Sequence, residues 1–139
     1  MEQLVELKLP NILGSEKVAI EKAVTIAEKM GFSMDKIEDL KTAIAEACIN
    51  AIEHGNKFNE NTQVGITFAT DDTSLQVVVH DEGDGIDPKK IPKDRIDKDG
   101  LPRRRGYGVF LISNLVNEFS IEKKPGKGNN VKMLIHLNR

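Results

Sequence analysis

Between residues 64 and 79 two short runs alternate apolar and polar side chains, and no other stretch restricts the fold as tightly. Val64, Ile66 and Phe68 share one side of an extended chain, and Leu75, Val77 and Val79 share one side of the next. Asp71, Asp72, Thr73 and Ser74 lie between the two rows and are hairpin-turn residues. Two one-faced strands need a layer of other structure over the apolar side.

The sequence supplies that layer before the hairpin. Ser33 opens a helical pattern running through Glu53 or His54 and closed by Gly55 and Asn56. Its apolar stripe is Ile37, Leu40, Ile44, Cys48 and Ala51. An earlier helix is predicted from Glu16 to about Met30, with Ser15 as N-cap and Gly31 as C-cap. Leu4 to Leu9 reads as a first strand ended by Pro10. After the hairpin, Pro88 to Arg105 is a long loop of prolines, a glycine and many charges. A third helix is predicted from near Gly106 to about Asn117. Phe119 to Lys123 and Val131 to Leu137 then form a last hairpin around residues 125–130. This order predicts an α+β fold: a two-layer sandwich with a mostly antiparallel mixed sheet and its helices on one face. With no internal repeat or boundary, one domain is expected over residues 1–139.

Composition narrows the function classes. A chain of 139 residues, 39% apolar and 30% charged, buries a core without staples. A formal charge of −2 gives no global field toward nucleic acid or acidic membrane. In the loop, Lys89, Lys90, Lys93, Arg95 and Lys98 are interleaved with Asp94, Asp97 and Asp99, which blunts any basic stripe. Direct nucleic-acid binding is therefore not expected. The single cysteine, Cys48, excludes an internal disulfide and sits in the apolar stripe as a small core residue. No stretch approaches the ~20 apolar residues of a membrane span. Met1 to Glu6 has no basic or apolar signal segment, which predicts a cytoplasmic protein without membrane contact.

Three groups of residues carry chemistry. Glu46, Asn50 and His54 are four apart and form a row along the second helix, away from the apolar stripe. Ala43 and Ala47 beside them leave room for something to approach. Such a row suits a metal and general-base site: an Asn carbonyl oxygen for Mg²⁺, and a Glu one turn away to accept a hydroxyl proton. A solvated helix face would look the same. Asp81, in Asp81-Glu82-Gly83-Asp84-Gly85, falls on the inward side with Leu75, Val77 and Val79. A carboxylate there needs a partner, and an adenine amino group is a suitable donor beside glycines that admit a planar ligand. A plain strand-ending turn uses the same residues. Gly106-Tyr107-Gly108-Val109 enters a helix after Arg103, Arg104 and Arg105, so backbone N–H groups and guanidinium charge would meet a phosphate chain. A basic loop before a flexible helix entry is the bland counterpart.

Taken in order, these residues resemble the GHKL (Bergerat-fold) ATPase superfamily, and within it the bacterial anti-sigma-factor serine/threonine kinases. Glu46-Ala-Cys-Ile-Asn50-Ala-Ile-Glu-His54-Gly55 resembles that family's N box, Asp81-Glu-Gly83-Asp-Gly85 its first glycine box, and Gly106-Tyr-Gly108 the second, after an ATP lid at residues 88–105. The resemblance implies ATP and Mg²⁺ as cofactors. It makes Glu46 the catalytic base and Asn50 the Mg²⁺ ligand. It assigns Asp81, Gly83, Gly85, Arg105, Gly106, Tyr107, Gly108 and Val109 to the nucleotide; Arg105 is chosen among the arginines because it adjoins Gly106. It further implies a kinase that phosphorylates an anti-anti-sigma antagonist protein and sequesters a sigma factor, commonly as a homodimer. The alternative is a non-catalytic ATP-binding switch that regulates a partner through lid ordering. One departure stands out: after the glycines of the last hairpin the family commonly has Ser or Thr, and this chain has Asn129 and Asn130.

Overall fold

The computed structural model describes residues 1–56, 59, 61–83, 111–124 and 128–137. Among them five strands and two long helices form the two expected layers. The strands are β1 (Glu2–Pro10), β2 (Gln63–Thr70), β3 (Ser74–Asp81), β4 (Glu118–Lys124) and β5 (Gly128–His136). They lie in the order β1-β2-β3-β5-β4, and all four pairings are antiparallel. The inward rows read from alternation are the sheet's contribution to the core. Val64, Ile66, Phe68 and Leu75 are fully buried, and Val77 and Val79 nearly so. Val131, Met133 and Ile135 continue the same surface from β5, in register opposite Val79, Val77 and Leu75.

Helices α1 (Glu16–Met30) and α2 (Met34–Asn50) share one buried cluster with these rows. Ser33 caps α2 as expected, its side chain accepting from the Lys36 amide at 3.3 Å. Gly31 closes α1 with its amide bonded to Ala27 and Glu28 carbonyls at 3.1 Å. Ser15 behaves differently from the expected cap. Its backbone is already helical, and its hydroxyl donates to the Pro10 and Ile12 carbonyls, so it fastens the strand-to-helix turn instead.

The stripe Ile37, Leu40, Ile44, Cys48 and Ala51 is buried, but so are Ala43 and Ala47. The room expected at those alanines is filled by the protein's own packing, since the small side chains draw helix and neighbours together. Cys48 is fully buried and its thiol is pushed up to about 12 by that burial, which leaves it protonated and inert. His80 and His136 occupy the other face of the sheet, as parity predicts. There they meet the side chains of Asn130 and Ser74 at 2.6 and 2.7 Å.

Two boundaries moved. The α-helix ends at Asn50 and passes into a π-helical turn, Ala51–Gly55, closed by the Asn56 amide donating to the Ala51 carbonyl at 2.7 Å. The last hairpin also extends further than its composition suggests. Gly128, Asn129 and Asn130 belong to β5: all three pair with β4, and the two asparagines also pair with β3, so they are strand, not turn. Residues 111–115 are helical, and Ile112 enters the core.

Candidate nucleotide site

The site forms where the end of α2 meets the end of β3. Glu46 is half-buried and Asn50 is buried, one turn apart on α2. Asn50 is thus not on a solvated face. Among the described residues its amide nitrogen has no hydrogen-bond partner, and an unsatisfied buried donor costs about 1–3 kcal/mol. A cost of that size, kept at the end of a helix, fits a group reserved for a ligand. The two ends of a carboxamide are nearly isosteric, so a half-turn about its last bond presents the oxygen in place of the nitrogen. The residue therefore fits Mg²⁺ through oxygen or a phosphate oxygen through nitrogen.

Asp81 is 2% exposed and ends the inward row of β3. Its Oδ1 accepts from the Gly83 amide at 2.9 Å and from Asn129 Nδ2 at 3.0 Å. Burial pushes the carboxyl above its ordinary range. The N–H groups of Gly83 and Asn129 and the nearby His80 pull the other way without cancelling it. A carboxylate so desolvated and oriented is poised for one more donor. Asn129 itself is fully buried and directly opposite Asp81 in the ladder. The departure from Ser or Thr thus places a carboxamide N–H on the carboxylate.

The two halves of the site are joined by close packing. Gly55, in the π turn, lies so near the Asp81 carboxylate that a methyl group there would overlap it. A methyl at Gly83 would in turn collide with the Gly55 carbonyl. Widening the last turn of the helix to π geometry carries Gly55 into this contact, and such turns recur at functional sites. Replacing Gly55 by alanine is expected to overpack the joint and cost about 1–3 kcal/mol, or more if Asp81 cannot shift. Thermal denaturation of the ligand-free protein measures this. An unchanged midpoint would mean that the joint yields freely.

Of the residues expected from sequence, Glu46 and Asn50 line one side of α2, Asp81 ends β3, and Gly83 lies in the bend just after it. Gly85, Arg105, Gly106, Tyr107, Gly108 and Val109 lie outside the described residues, as does the lid at 88–105. The sequence reading missed the parts played by Gly55, Asn56 and Asn11, and left open that of Asn129. For Asn129 a signal existed: it heads the inward row Val131, Met133, Ile135, just as Asp81 ends the inward row of β3.

Residues 11–135 match the model of the histidine kinase-like ATPase domain. The chain belongs to that family. Its relatives include the serine-protein kinase RsbW of Bacillus subtilis, 33% identical over 132 residues, which span 88% of this chain and 79% of that protein. RsbW of Bacillus licheniformis is 37% identical over 123 residues, with 82% and 73% covered. RsbW of Staphylococcus aureus is 32% identical, with 90% and 82% covered. Among solved structures, the RsbU and RsbW domains of Rv1364c from Mycobacterium tuberculosis superpose with a TM-score of 0.67 at 19% identity. That match takes in 98% of this chain and 33% of the other. The mycobacterial sensor histidine kinase MprB gives 0.57 at 13% identity, with 95% and 97% covered. These two similarities establish the histidine kinase-like ATPase fold. Among the described residues no helix is long and apolar enough to cross a membrane.

Proposed function

We propose that this chain is an ATP-dependent serine/threonine protein kinase and anti-sigma regulatory factor, forming a single domain over residues 1–139. It phosphorylates an anti-anti-sigma antagonist on Ser or Thr and sequesters a sigma factor. The observation that carries the reading is the packing of Gly55 on Asp81, which joins the helix face of Glu46 and Asn50 to a buried carboxylate in one site. Its relatives among the serine-protein kinases support the reaction class.

Each residue then has a task. Asp81, steadied by Gly83 and Asn129, accepts from the adenine amino group, and Gly83 and Gly85 admit the flat ring. Asn50 holds Mg²⁺ by its amide oxygen. Arg105, Gly106, Tyr107, Gly108 and Val109 meet the phosphates, with residues 88–105 as the lid. Bound Mg-ATP supplies a transferable phosphoryl group whose charge the metal partly neutralises. Glu46 accepts the proton of the attacking serine hydroxyl, which requires it to reach that hydroxyl within about 2.6–3.2 Å. The protein works in the cytoplasm as a homodimer, through protein partners, without direct contact to nucleic acid or membrane.

Incubation with Mg-ATP labelled in the γ-phosphate and the antagonist protein tests the reaction. Label is expected on a serine or threonine hydroxyl of the antagonist. Nucleotide binding with no transfer to it under any condition would leave the switch reading in place of the kinase.

A further inference from the structure

We propose that Asn56 is a positioning residue that locks the helix end bearing Asn50 to the strand end bearing Asp81, holding the two ends of the bound nucleotide at one spacing. This rests on the nucleotide reading of the site.

Asn56 is 4% exposed, and its carboxamide joins three separate segments. Its Oδ1 accepts from the Glu82 amide at 2.7 Å, next to Asp81. Its Nδ2 donates to the Gln63 carbonyl and to Asn11 Oδ1, both at 3.2 Å. Its own backbone amide closes the π turn on Ala51. Glu82 returns the connection, its carboxylate accepting from the Gln63 amide at 2.7 Å. Asn11 is anchored in turn by its Nδ2 donating to the Asn59 carbonyl at 3.2 Å. Asn56, Gln63 and Glu82 therefore close a ring of hydrogen bonds around the start of β2 and the end of β3.

The chemistry demands a carboxamide of this length. Serine is too short to serve Glu82, Gln63 and Asn11 together. Aspartate keeps an acceptor for Glu82 but has no N–H for the other two. The ring flanks the direct contact of Gly55 with Asp81 and ties together the same two chain ends. Asn56 is six residues beyond Asn50, and Glu82 adjoins Asp81. A ligand gripped at both ends gains from each grip only while their spacing matches its own. A misplacement of about 1 Å can cost about 100-fold in such arrangements. Loosening the ring should weaken the cooperation between the two ends more than it weakens either end.

The test compares wild type, Asn56→Ser and Asn56→Asp. Amide hydrogen exchange on the ligand-free proteins reads the clip itself. Titrations of adenosine, and of ATP with and without Mg²⁺, read the coupling. In Asn56→Ser the Glu82 amide is expected to exchange at least about tenfold faster. Adenosine affinity should hold within about threefold, while the factor by which Mg²⁺ tightens ATP binding falls at least about fivefold. Asn56→Asp keeps the acceptor for Glu82 and should fall between the two; it also carries the test if the serine variant does not fold. A freed Glu82 amide with an unchanged Mg²⁺ factor would make the clip purely structural and overturn the proposal. A wild type that binds neither adenosine nor ATP would instead overturn the nucleotide reading, and this proposal with it.

Discussion

Asp81→Asn is expected to weaken ATP binding roughly 10- to 100-fold while raising the melting temperature of the ligand-free domain. Both effects follow from one feature, a buried carboxylate to which the proposed function gives the adenine amino group. Asn129 and the Gly83 amide both donate to Oδ1, so an asparagine at 81 satisfies them with its oxygen and turns its NH₂ toward the pocket. There the NH₂ meets the adenine amino group, donor against donor. A hydrogen bond to a charged group is worth about 1.5–3 kcal/mol, which converts to the stated loss. A purine bearing a 6-oxo group presents an acceptor instead, so inosine triphosphate should lose less than ATP or gain.

The stability change has the opposite sign to the usual carboxylate case. Burial raises the carboxyl of Asp81 in the fold. Between its unfolded and folded values the native state holds more protons than the unfolded chain, so stability falls as pH rises through that window. Above it the ionised group is a standing cost, which the neutral amide removes. The rise in melting temperature should therefore be seen at neutral pH and vanish in acid, where wild-type Asp81 is protonated. Calorimetric titration and pH-resolved thermal denaturation check both halves. If Asp81→Asn lowers the melting temperature and keeps ATP affinity, Asp81 is a structural partner of Asn129 and not the base-binding group.

How much of this was legible in the sequence depends on how far apart the cooperating residues are. The inward rows of β2 and β3, the α2 stripe and the Ser33 cap are encoded within a few residues, and each was read where it lies. Asp81 was found because a carboxylate at the end of an apolar row breaks the local rule. Asn129 obeys the same logic, but the glycines at 126 and 128 drew the turn over it. Only the ladder, Asp81 opposite Asn129, shows it as strand. Helical spacing gave the direction of Ala43 and Ala47 but not what lies there, and protein fills the space a ligand was expected to use. The Asn56 clip was out of reach, because its partners at 11, 63 and 82 are joined only by the fold. The π turn is similar: nothing in Ala51-Ile-Glu-His-Gly55 distinguishes it from a last α-turn until Gly55 meets Asp81.

The second large effect belongs to Glu46. Glu46→Gln should lower phosphoryl transfer about 100- to 10,000-fold, the usual contribution of a positioned general base. ATP affinity should stay within about threefold, because Glu46 is assigned to the hydroxyl and not to the nucleotide. Stability should change by no more than about 0.5 kcal/mol, since the residue is half-buried, away from the Gly55–Asp81 joint, and its replacement is isosteric. The three measurements together separate the kinase from the switch. Lost transfer with preserved ATP binding and folding assigns the proton to Glu46. Intact transfer means that another group, or the metal-bound nucleotide's own phosphate, takes it. If partner regulation survives in Glu46→Gln and the wild type never transfers phosphate, the carboxylate at 46 has no catalytic task, and nucleotide-dependent ordering alone accounts for regulation.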